Sequence, residues 1–177
     1  MNQVAATLTV ADADRTREVG RRLATALRAG DLVLLSGELG AGKTTLVQGI
    51  GAGMNVRGQV ASPTFIIARV HPALGDGPDL VHVDAYRLTS LDEVDALDLD
   101  TSLEDSVTVV EWGTGRMEAL AQERLEIDIR RPHGTGAGTD GHPEDIDDLA
   151  APAPRELTVR GLGQRWAGTD LAGLLRT

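Results

Sequence analysis

The chain has 177 residues, a formal net charge of -10 and 41% hydrophobic residues, which predicts a single domain, residues 1–177, whose core is mainly aliphatic because only four residues are aromatic. The absence of cysteine excludes disulfides and thiolate chemistry, and the acidic balance argues against a protein that grips nucleic acid by itself, because phosphate binding depends on clustered Lys and Arg. No apolar run approaches the ~20 residues of a membrane span, and Met1-Asn2-Gln3 lacks the basic-then-apolar order of a signal peptide, so we expect a cytoplasmic protein with no membrane contact.

An amphipathic helix is predicted near the start of the chain, over residues 13–29. Val19, Leu23 and Leu27 recur every four residues and define one apolar face, which is the pattern of a helix that packs on a core. Gly30 follows this pattern in the place where glycine commonly ends a helix. We therefore expect the helix to finish just before the first buried strand.

A phosphate-binding loop is predicted at residues 37–44, whose sequence GELGAGKT fits the pattern GxxxxGK[ST] at every specified place. The short apolar run 31–36 before it predicts a buried strand, and residues 43–53 after it predict a helix. This order lets backbone N–H groups at a helix start face a phosphate. We expect the nucleotide to contact Gly37, Glu38, Leu39, Gly40, Ala41, Gly42, Lys43, Thr44 and Thr45.

Lys43 is the only lysine of the chain, and the other sixteen basic side chains are arginine. A compact ammonium fits between phosphate oxygens where a planar guanidinium is too wide, so we predict that Lys43 bridges the terminal phosphates and that the Thr44 hydroxyl ligates magnesium. With no second lysine, the Asn-Lys-x-Asp element by which small GTPases read guanine is absent. The sequence therefore predicts ATP and Mg²⁺ as cofactors.

Further apolar runs predict the remaining strands. Residues 65–70 and 79–84 predict two strands joined by a turn-rich segment, which indicates an antiparallel pair. Residues 106–111 predict another buried strand. Alternating apolar residues at 125–129 and at 157–159 predict two neighbouring strands near one edge of the sheet.

Two short helices are predicted between these strands. Ser90 and Glu93 resemble a capping box that begins a helix running through Leu97. Residues 116–123 also have a helical pattern. The alternation of strands and helices predicts an α/β fold, a single P-loop NTPase domain with a mostly parallel central sheet flanked by helices and with antiparallel strands at an edge.

An acidic insertion is predicted at residues 132–154, between the last two strands. It is rich in Gly, Pro and Asp and carries five acids but no Lys or Arg. Such a composition cannot bury enough apolar surface to order itself, so we expect a flexible loop. His133 and His142 lie within it, and we interpret them as solvated side chains rather than metal ligands.

Two carboxylates stand directly after apolar strands. Asp84 ends the run 80–83 and Glu111 ends the run 107–110, which predicts that both lie at the C-terminal edge of the sheet, where ligands bind. A magnesium nucleotide site needs one acid for the metal and often another group to orient the attacking water. We assign Asp84 to magnesium and Glu111 to the water, or the reverse, and with Lys43 these are the predicted catalytic residues.

Four blocks of the sequence together resemble the TsaE (YjeE) family, the ATPase component of the bacterial machinery that makes threonylcarbamoyladenosine in tRNA. The resemblance covers roughly residues 8–131 and the strand at 155–160. The blocks stand in the same order and at similar spacing as in that family: GELGAGKTT at 37–45, SPTF at 62–65, HVDAYRL at 82–88 and Glu111-Trp112.

The resemblance implies roles for individual residues. Lys43 and Thr44 match the phosphate and magnesium residues, and Asp84 matches an acid that serves the metal. The segment 62–64, with Thr64, matches a switch-like segment near the γ-phosphate. Trp112, together with the acid before it, matches a Glu-Trp pair implicated in nucleotide binding and hydrolysis.

The family resemblance also implies partners. The protein would bind a complex of two related proteins, the threonylcarbamoyl-transferase subunit (TsaD-like) and its dimerising partner (TsaB-like), and ATP hydrolysis would reset that complex between catalytic cycles. Contact with tRNA would be indirect, through the complex, which agrees with the negative charge of this chain. Hydrolysis by the isolated protein is expected to be weak.

Two other functions are compatible with a phosphate-binding loop. One is a small-molecule kinase, with Arg116, Arg124, Arg130 and Arg131 as a lid. Against this, the arginines alternate with apolar, strand-like residues. The other is a non-catalytic regulator that binds ATP to control a partner. Acceptor-dependent ADP production distinguishes the first, and the effect of replacing Glu111 by Gln distinguishes the second.

Overall fold

The structure is a computed structural model that describes residues 3–62, 68–86, 103–115, 117–131 and 153–176. Several sequence predictions lie outside these ranges. They are the role of Thr64, the first half of the strand at 65–70, the helix from Ser90 to Leu97, the role of Arg116 and nearly all of the acidic insertion with its two histidines.

Among the described residues, seven strands form one mixed sheet in the order β1-β7-β6-β2-β5-β4-β3. Two longer helices and a short C-terminal one accompany it. In chain order the elements are β1 (Gln3–Val10), α1 (Ala13–Ala24), β2 (Leu32–Gly37), α2 (Lys43–Gly53), β3 (Ala68–His71), β4 (Asp79–Asp84), β5 (Ser106–Glu111), β6 (Arg124–Arg130), β7 (Arg155–Leu162) and α3 (Leu171–Leu175).

The four central strands, β6, β2, β5 and β4, are parallel to one another. Their buried, β-branched sequences are typical of strands covered on both faces. Antiparallel strands complete both edges, with β3 on β4 at one side and β7 and β1 beyond β6 at the other. The predicted α/β fold with a parallel centre and antiparallel edge strands is confirmed.

The core lies on both faces of this sheet. Along β2, Val33 and Leu35 face the helices α1 and α2, whereas Leu32 and Leu34 belong to a second cluster on the opposite face. This alternation follows from the two-residue period of a strand. The same period puts the last residue of β5, Glu111, on the face that α2 covers.

Helices α1 and α2 touch backbone to backbone where Gly20 meets Gly49. A Cβ atom on Gly20 would lie 2.5 Å from the Leu46 carbonyl oxygen, and one on Gly49 would overlap the backbone of Arg17. Both glycines are therefore required by the close approach of the helices. This packing fixes α2 against the sheet, and with it the phosphate loop at the start of α2.

The predicted helix at 13–29 is too long, because α1 ends at Ala24. The Thr25 N–H donates to the Arg22 carbonyl, and the next two N–H groups also bond three residues back. The Asp31 carboxylate then accepts the Arg28 N–H at 2.9 Å. These shorter bonds turn the chain toward β2 before Leu27 can extend the helix.

The predicted helix at 116–123 is wrong in the part that the structure describes. Only a single 3-10 turn, Glu118–Leu120, forms there, and Ala121 is already extended. The Glu118 carboxylate accepts the Gly115 N–H and holds the turn at its start. Met117, directly before this turn, is fully buried. The apolar residue of the predicted helical pattern therefore packs in the core without a helix.

The strands at 79–84 and 106–111 and helix α2 match the predicted bounds, and the strand at 31–36 is shifted by one residue. The sequence did not predict β1, which forms the outer edge of the sheet. In the described part of the chain, no helix is long and apolar enough to cross a membrane.

Candidate functional site

The predicted phosphate loop, residues 37–44, runs from the end of β2 to the start of α2 and contains glycines with positive φ. Gly37, Gly40 and Gly42 have φ values of 143°, 75° and 108°, where side chains with a Cβ are strained. Gly42 begins α2 without a side-chain cap, and the first turn of α2 carries no acid. The N–H groups of this helix start are therefore available to an anion.

Lys43 points back into the loop. Its Nζ donates to the carbonyl oxygens of Gly37 at 2.8 Å and of Glu38 at 2.9 Å, and it lies 3.7 Å from the centroid of the Trp112 ring. Burial lowers the pKa of the Lys43 ammonium, while the charges of Glu111 and Asp84 act to raise it. Among the described residues, the hydrogen-bond acceptors of Lys43 are neutral carbonyl oxygens, so no carboxylate is hydrogen-bonded to its ammonium.

The Thr44 hydroxyl meets the carboxylate that ends β5. Its Oγ1 donates to Oε1 of Glu111 at 2.9 Å. The same oxygen lies 2.8 Å from Nε2 of His82 on β4. Glu111 is 3% exposed, so its carboxylate is held between the first turn of α2 and a neighbouring strand.

Asp84 lies beside this carboxylate on the next strand. The parallel register pairs Asp84 with Glu111, so the two acids end adjacent strands at the same level. Asp84 is half-buried, and its Oδ1 accepts the Tyr86 N–H at 2.9 Å. The expected meeting of Lys43, Thr44 and the two acids at one edge of the sheet is therefore present in the structure.

Trp112 follows β5 in a backbone conformation that large side chains rarely adopt. Its φ is 63°, in the left-handed region where a bulky residue is strained. A hydrogen bond from its N–H to the Leu35 carbonyl, at 2.9 Å, holds this turn. The ring thereby reaches Lys43, and its centroid lies 5.1 Å from the centroid of the Tyr86 ring.

Two cavities adjoin this cluster. One, of about 400 Å³, is lined by the loop residues 39–45 except Ala41 and by Ser62, Asp84, Tyr86, Glu111 and Trp112. The other, of about 750 Å³, is lined by Ser36, Gly37, Glu38, Tyr86, Trp112, Thr114 and the stretch from Asp128 to Arg131. Tyr86 and Trp112 belong to both, so the aromatic pair stands where the two cavities meet.

The donor set suits magnesium with a phosphate ligand. In the described ranges, no group of three or more His, Asp or Glu side chains could hold a metal on its own. A hydroxyl and one or two carboxylates are, however, the protein groups with which Mg²⁺ is bound beside phosphates and water. The uncapped start of α2 and the Lys43 ammonium fit the phosphates of a nucleotide in the same way.

Sequence reasoning missed His82 and Tyr86 as parts of the site. His82 and Asp84 are two residues apart on β4, so they lie on the same face, and this spacing could have shown that the histidine reaches the predicted acids. Tyr86 could be found only through the family block that contains it. The kinase lid is not formed by Arg124 and Arg130, because both belong to β6.

A comparison with protein families and with known proteins gives one consistent result. The family model described as "Threonylcarbamoyl adenosine biosynthesis protein TsaE" matches residues 10–137. A protein of Streptomyces coelicolor named tRNA threonylcarbamoyladenosine biosynthesis protein TsaE is 60% identical over 89% of this chain and 98% of its own length. A Bacillus subtilis protein of the same name is 35% identical over 86% of this chain and 84% of its own length.

The fold is similar to a solved structure as well. The crystal structure of Bacillus subtilis YdiB superposes with a TM-score of 0.65 at 29% sequence identity, covering 94% of this chain and 91% of that one. The similarity therefore extends over nearly the whole chain.

Proposed function

The chain belongs to the TsaE family, and from that premise we propose that it is a magnesium-dependent ATPase serving the formation of threonylcarbamoyladenosine in tRNA. The observation that carries the ATPase proposal is the hydrogen bond between Thr44 and Glu111, 2.9 Å long, next to the only lysine of the chain. It joins a loop hydroxyl to a strand-end carboxylate, the pair that a magnesium nucleotide site requires.

The phosphates of ATP would be held by the loop and by Lys43. The backbone N–H groups at the start of α2 would face the phosphates, and the Lys43 ammonium would leave the Gly37 and Glu38 carbonyl oxygens for the terminal phosphate oxygens. Those carbonyls hold Lys43 at hydrogen-bond distance in this structure. The lysine is thus already oriented within the loop.

Magnesium, when bound, would neutralise charge on the phosphate oxygens. The Thr44 hydroxyl donates its hydrogen to Glu111, which leaves the oxygen lone pairs for the metal. This favours the second of the two assignments that the sequence left open: Thr44 and Glu111 serve the metal, and Asp84 orients the attacking water. Asp84 ends the neighbouring strand and lines the same 400 Å³ cavity.

The proposed partners are the threonylcarbamoyl-transferase subunit and its dimerising partner, which ATP hydrolysis would reset between cycles. Two apolar side chains at the cavity mouth support a partner on this side. Leu39, at the tip of the loop, is 74% exposed, and Tyr86 is 63% exposed. Contact with these residues would exclude water from the site and complete it, as expected for an ATPase that is slow alone.

The test is reconstitution with both partners, tRNA and ATP, comparing the wild-type chain with Glu111→Gln. We expect multiple-turnover modification of tRNA only when the wild-type chain hydrolyses ATP. Modification that continues under conditions in which the variant hydrolyses no ATP would overturn the resetting role. Unchanged ATP turnover by the variant would show that Glu111 is not catalytic, whereas modification that needs ATP binding but no hydrolysis by the chain would favour the non-catalytic regulator.

A small-molecule kinase stays as a second candidate because of the 750 Å³ cavity, which shares Tyr86 and Trp112 with the smaller one. An acceptor in it would lie beside the nucleotide. ATP consumption with and without small phosphate acceptors separates the two functions. ADP production that depends on an acceptor favours the kinase.

A further inference from the structure

We infer that His82 is a positioning residue, which holds the Glu111 carboxylate in the orientation that the magnesium nucleotide site needs. The inference rests on the proposed function and extends it to a residue that lines neither cavity of the proposed site. Nε2 of His82 lies 2.8 Å from Oε1 of Glu111.

Both members of this pair are shielded from water. The side chain of His82 is 0% exposed and that of Glu111 is 4% exposed. A buried carboxylate without a hydrogen-bond donor is strongly disfavoured. The donors to this one are Thr44 and His82, so the histidine supplies one of the two described hydrogen bonds to the Glu111 carboxylate.

The imidazole has no other hydrogen-bond partner in the described part of the chain. A carboxylate oxygen only accepts, so Nε2 carries the hydrogen of this bond, and Nδ1 is buried without a hydrogen bond. An aliphatic side chain would fill the same space without leaving a buried nitrogen unpaired. The bond to Glu111 is therefore the interaction that accounts for a histidine at this position.

The two donors to Glu111 differ in what they are attached to. Thr44 belongs to the loop end of α2 and is itself a proposed ligand of magnesium, so its position depends on the nucleotide. His82 lies within β4, which is paired on both sides, with β3 and with β5. The sheet therefore holds Glu111 in place through His82 whether or not the loop is occupied.

The parallel register explains how the histidine reaches the acid. His82 is paired with Val109, two residues before Glu111 on β5. Side chains two residues apart on a strand lie on one face, so His82, Asp84 and Glu111 all point to the side of the sheet that α2 covers. Glu111 is thus flanked on one strand by a donor and by a second carboxylate.

Three replacements of His82 test the inference. In His82→Gln, the side-chain amide nitrogen lies about as far from the backbone as Nε2 does and can still donate to Glu111. His82→Asn is the matched control, because its side chain is one carbon shorter and its amide nitrogen corresponds in position to Nδ1. His82→Leu fills the space without any donor.

We expect His82→Leu and His82→Asn to lower ATP turnover by the assembled complex about 10- to 100-fold, the usual effect of losing a group that orients a metal ligand. His82→Gln should restore turnover to within about 3-fold of wild type, because the donor is retained. Binding of ATP without magnesium, followed by the change in tryptophan fluorescence, should be the same in all three variants.

A double-mutant cycle shows whether His82 acts through Glu111. If it does, adding His82→Leu to Glu111→Gln causes no further loss. A loss that multiplies in the double variant, or a His82→Leu variant with wild-type turnover, would overturn the inference. Equal loss in Gln, Asn and Leu variants would also overturn it, since that pattern indicates a purely structural histidine.

A second measurement separates the inference from the proposed function. If the wild-type complex does not hydrolyse ATP, the proposed function fails, but the increase in ATP affinity caused by magnesium still reports on Glu111. We expect that increase to be reduced by Glu111→Gln and by His82→Leu and retained in His82→Gln. An undiminished increase in His82→Leu would rule out the positioning role.

Discussion

Thr44 and Glu111 are joined across the edge of the sheet, with Oγ1 of the threonine donating to Oε1 of the glutamate at 2.9 Å. The threonine belongs to the first turn of α2 and the glutamate to the end of β5. A hydroxyl that donates its hydrogen to a carboxylate keeps its lone pairs for a cation. The pair therefore links the phosphate loop to the sheet at the point where we propose magnesium.

Replacing Thr44 tests this link. Thr44→Val keeps the shape of the side chain and removes the hydroxyl, whereas Thr44→Ser keeps the hydroxyl. We expect Thr44→Val to lose about 10-fold or more of the gain in ATP affinity that magnesium gives, and Thr44→Ser to retain most of it. Titrations of ATP with and without magnesium measure this gain, and equal behaviour of the two variants would contradict the assignment.

The two acids should fail in different ways. If Glu111 serves the metal, Glu111→Gln raises the magnesium concentration needed for half-maximal turnover. If Asp84 orients the water, Asp84→Asn lowers turnover at saturating magnesium by about 100-fold or more, the usual size of a lost acid-base or orienting contribution. Magnesium titrations of both variants in the assembled complex distinguish the assignments. The opposite pattern would support Asp84 as the metal acid and Glu111 as the residue that orients the water.

The central part of the fold could be predicted because its signals are local. The phosphate loop with its flanking strand and helix is encoded within one short stretch, and the strands carrying Asp84 and Glu111 are continuous apolar runs. Their convergence followed from the rule that parallel strands end at one edge of a sheet. Those residues are found together here.

The outer parts depend on contacts between distant residues. Strand β1 alternates only between half-exposed and exposed side chains until Val10, and it exists because β7 pairs with it from the far end of the chain. The left-handed backbone conformation after β5 is adopted by Trp112 and not by a glycine, so the sequence does not predict it. Likewise, the segment after α1 leaves the helix through N–H groups that bond three residues back and through the Asp31 carboxylate, which accepts the Arg28 N–H.

The ion pair between Arg165 and Asp31 is such a distant contact, and its removal should destabilise the fold. The guanidinium donates to both carboxylate oxygens, at 2.9 and 2.7 Å, and to the Ala26 carbonyl at 2.6 Å. The side chains of Arg165 and Asp31 are 13% and 5% exposed. Arg165→Ala leaves the buried Asp31 carboxylate without its counter-ion, with only the Arg28 N–H still donating to it, so we expect a loss of about 3 kcal/mol in the free energy of unfolding.

Arg165→Lys is the matched control for this experiment. An ammonium keeps the charge but cannot donate to both oxygens in one plane, so its loss should be smaller. Denaturant unfolding measures both variants. ATP binding by the folded fraction should be unchanged, because neither residue of this pair lines either cavity of the proposed nucleotide site. A change in unfolding free energy below about 1 kcal/mol for Arg165→Ala would show that the pair contributes little, as exposed pairs do.

Labelling of the only lysine gives a direct reading of the phosphate loop. Burial lowers the pKa of the Lys43 amine, so the neutral, reactive form appears at a lower pH than in the unfolded chain. The folded amine is only 5% exposed, so reagent access is restricted. We therefore expect a low rate of modification whose pH profile is displaced toward lower pH relative to the denatured protein.

Magnesium-ATP should suppress the modification of Lys43 further, while the N-terminal amine, the internal control, reacts as before. Peptide mass spectrometry distinguishes the two sites, and ATP binding that leaves the Lys43 rate unchanged would refute the phosphate-loop assignment.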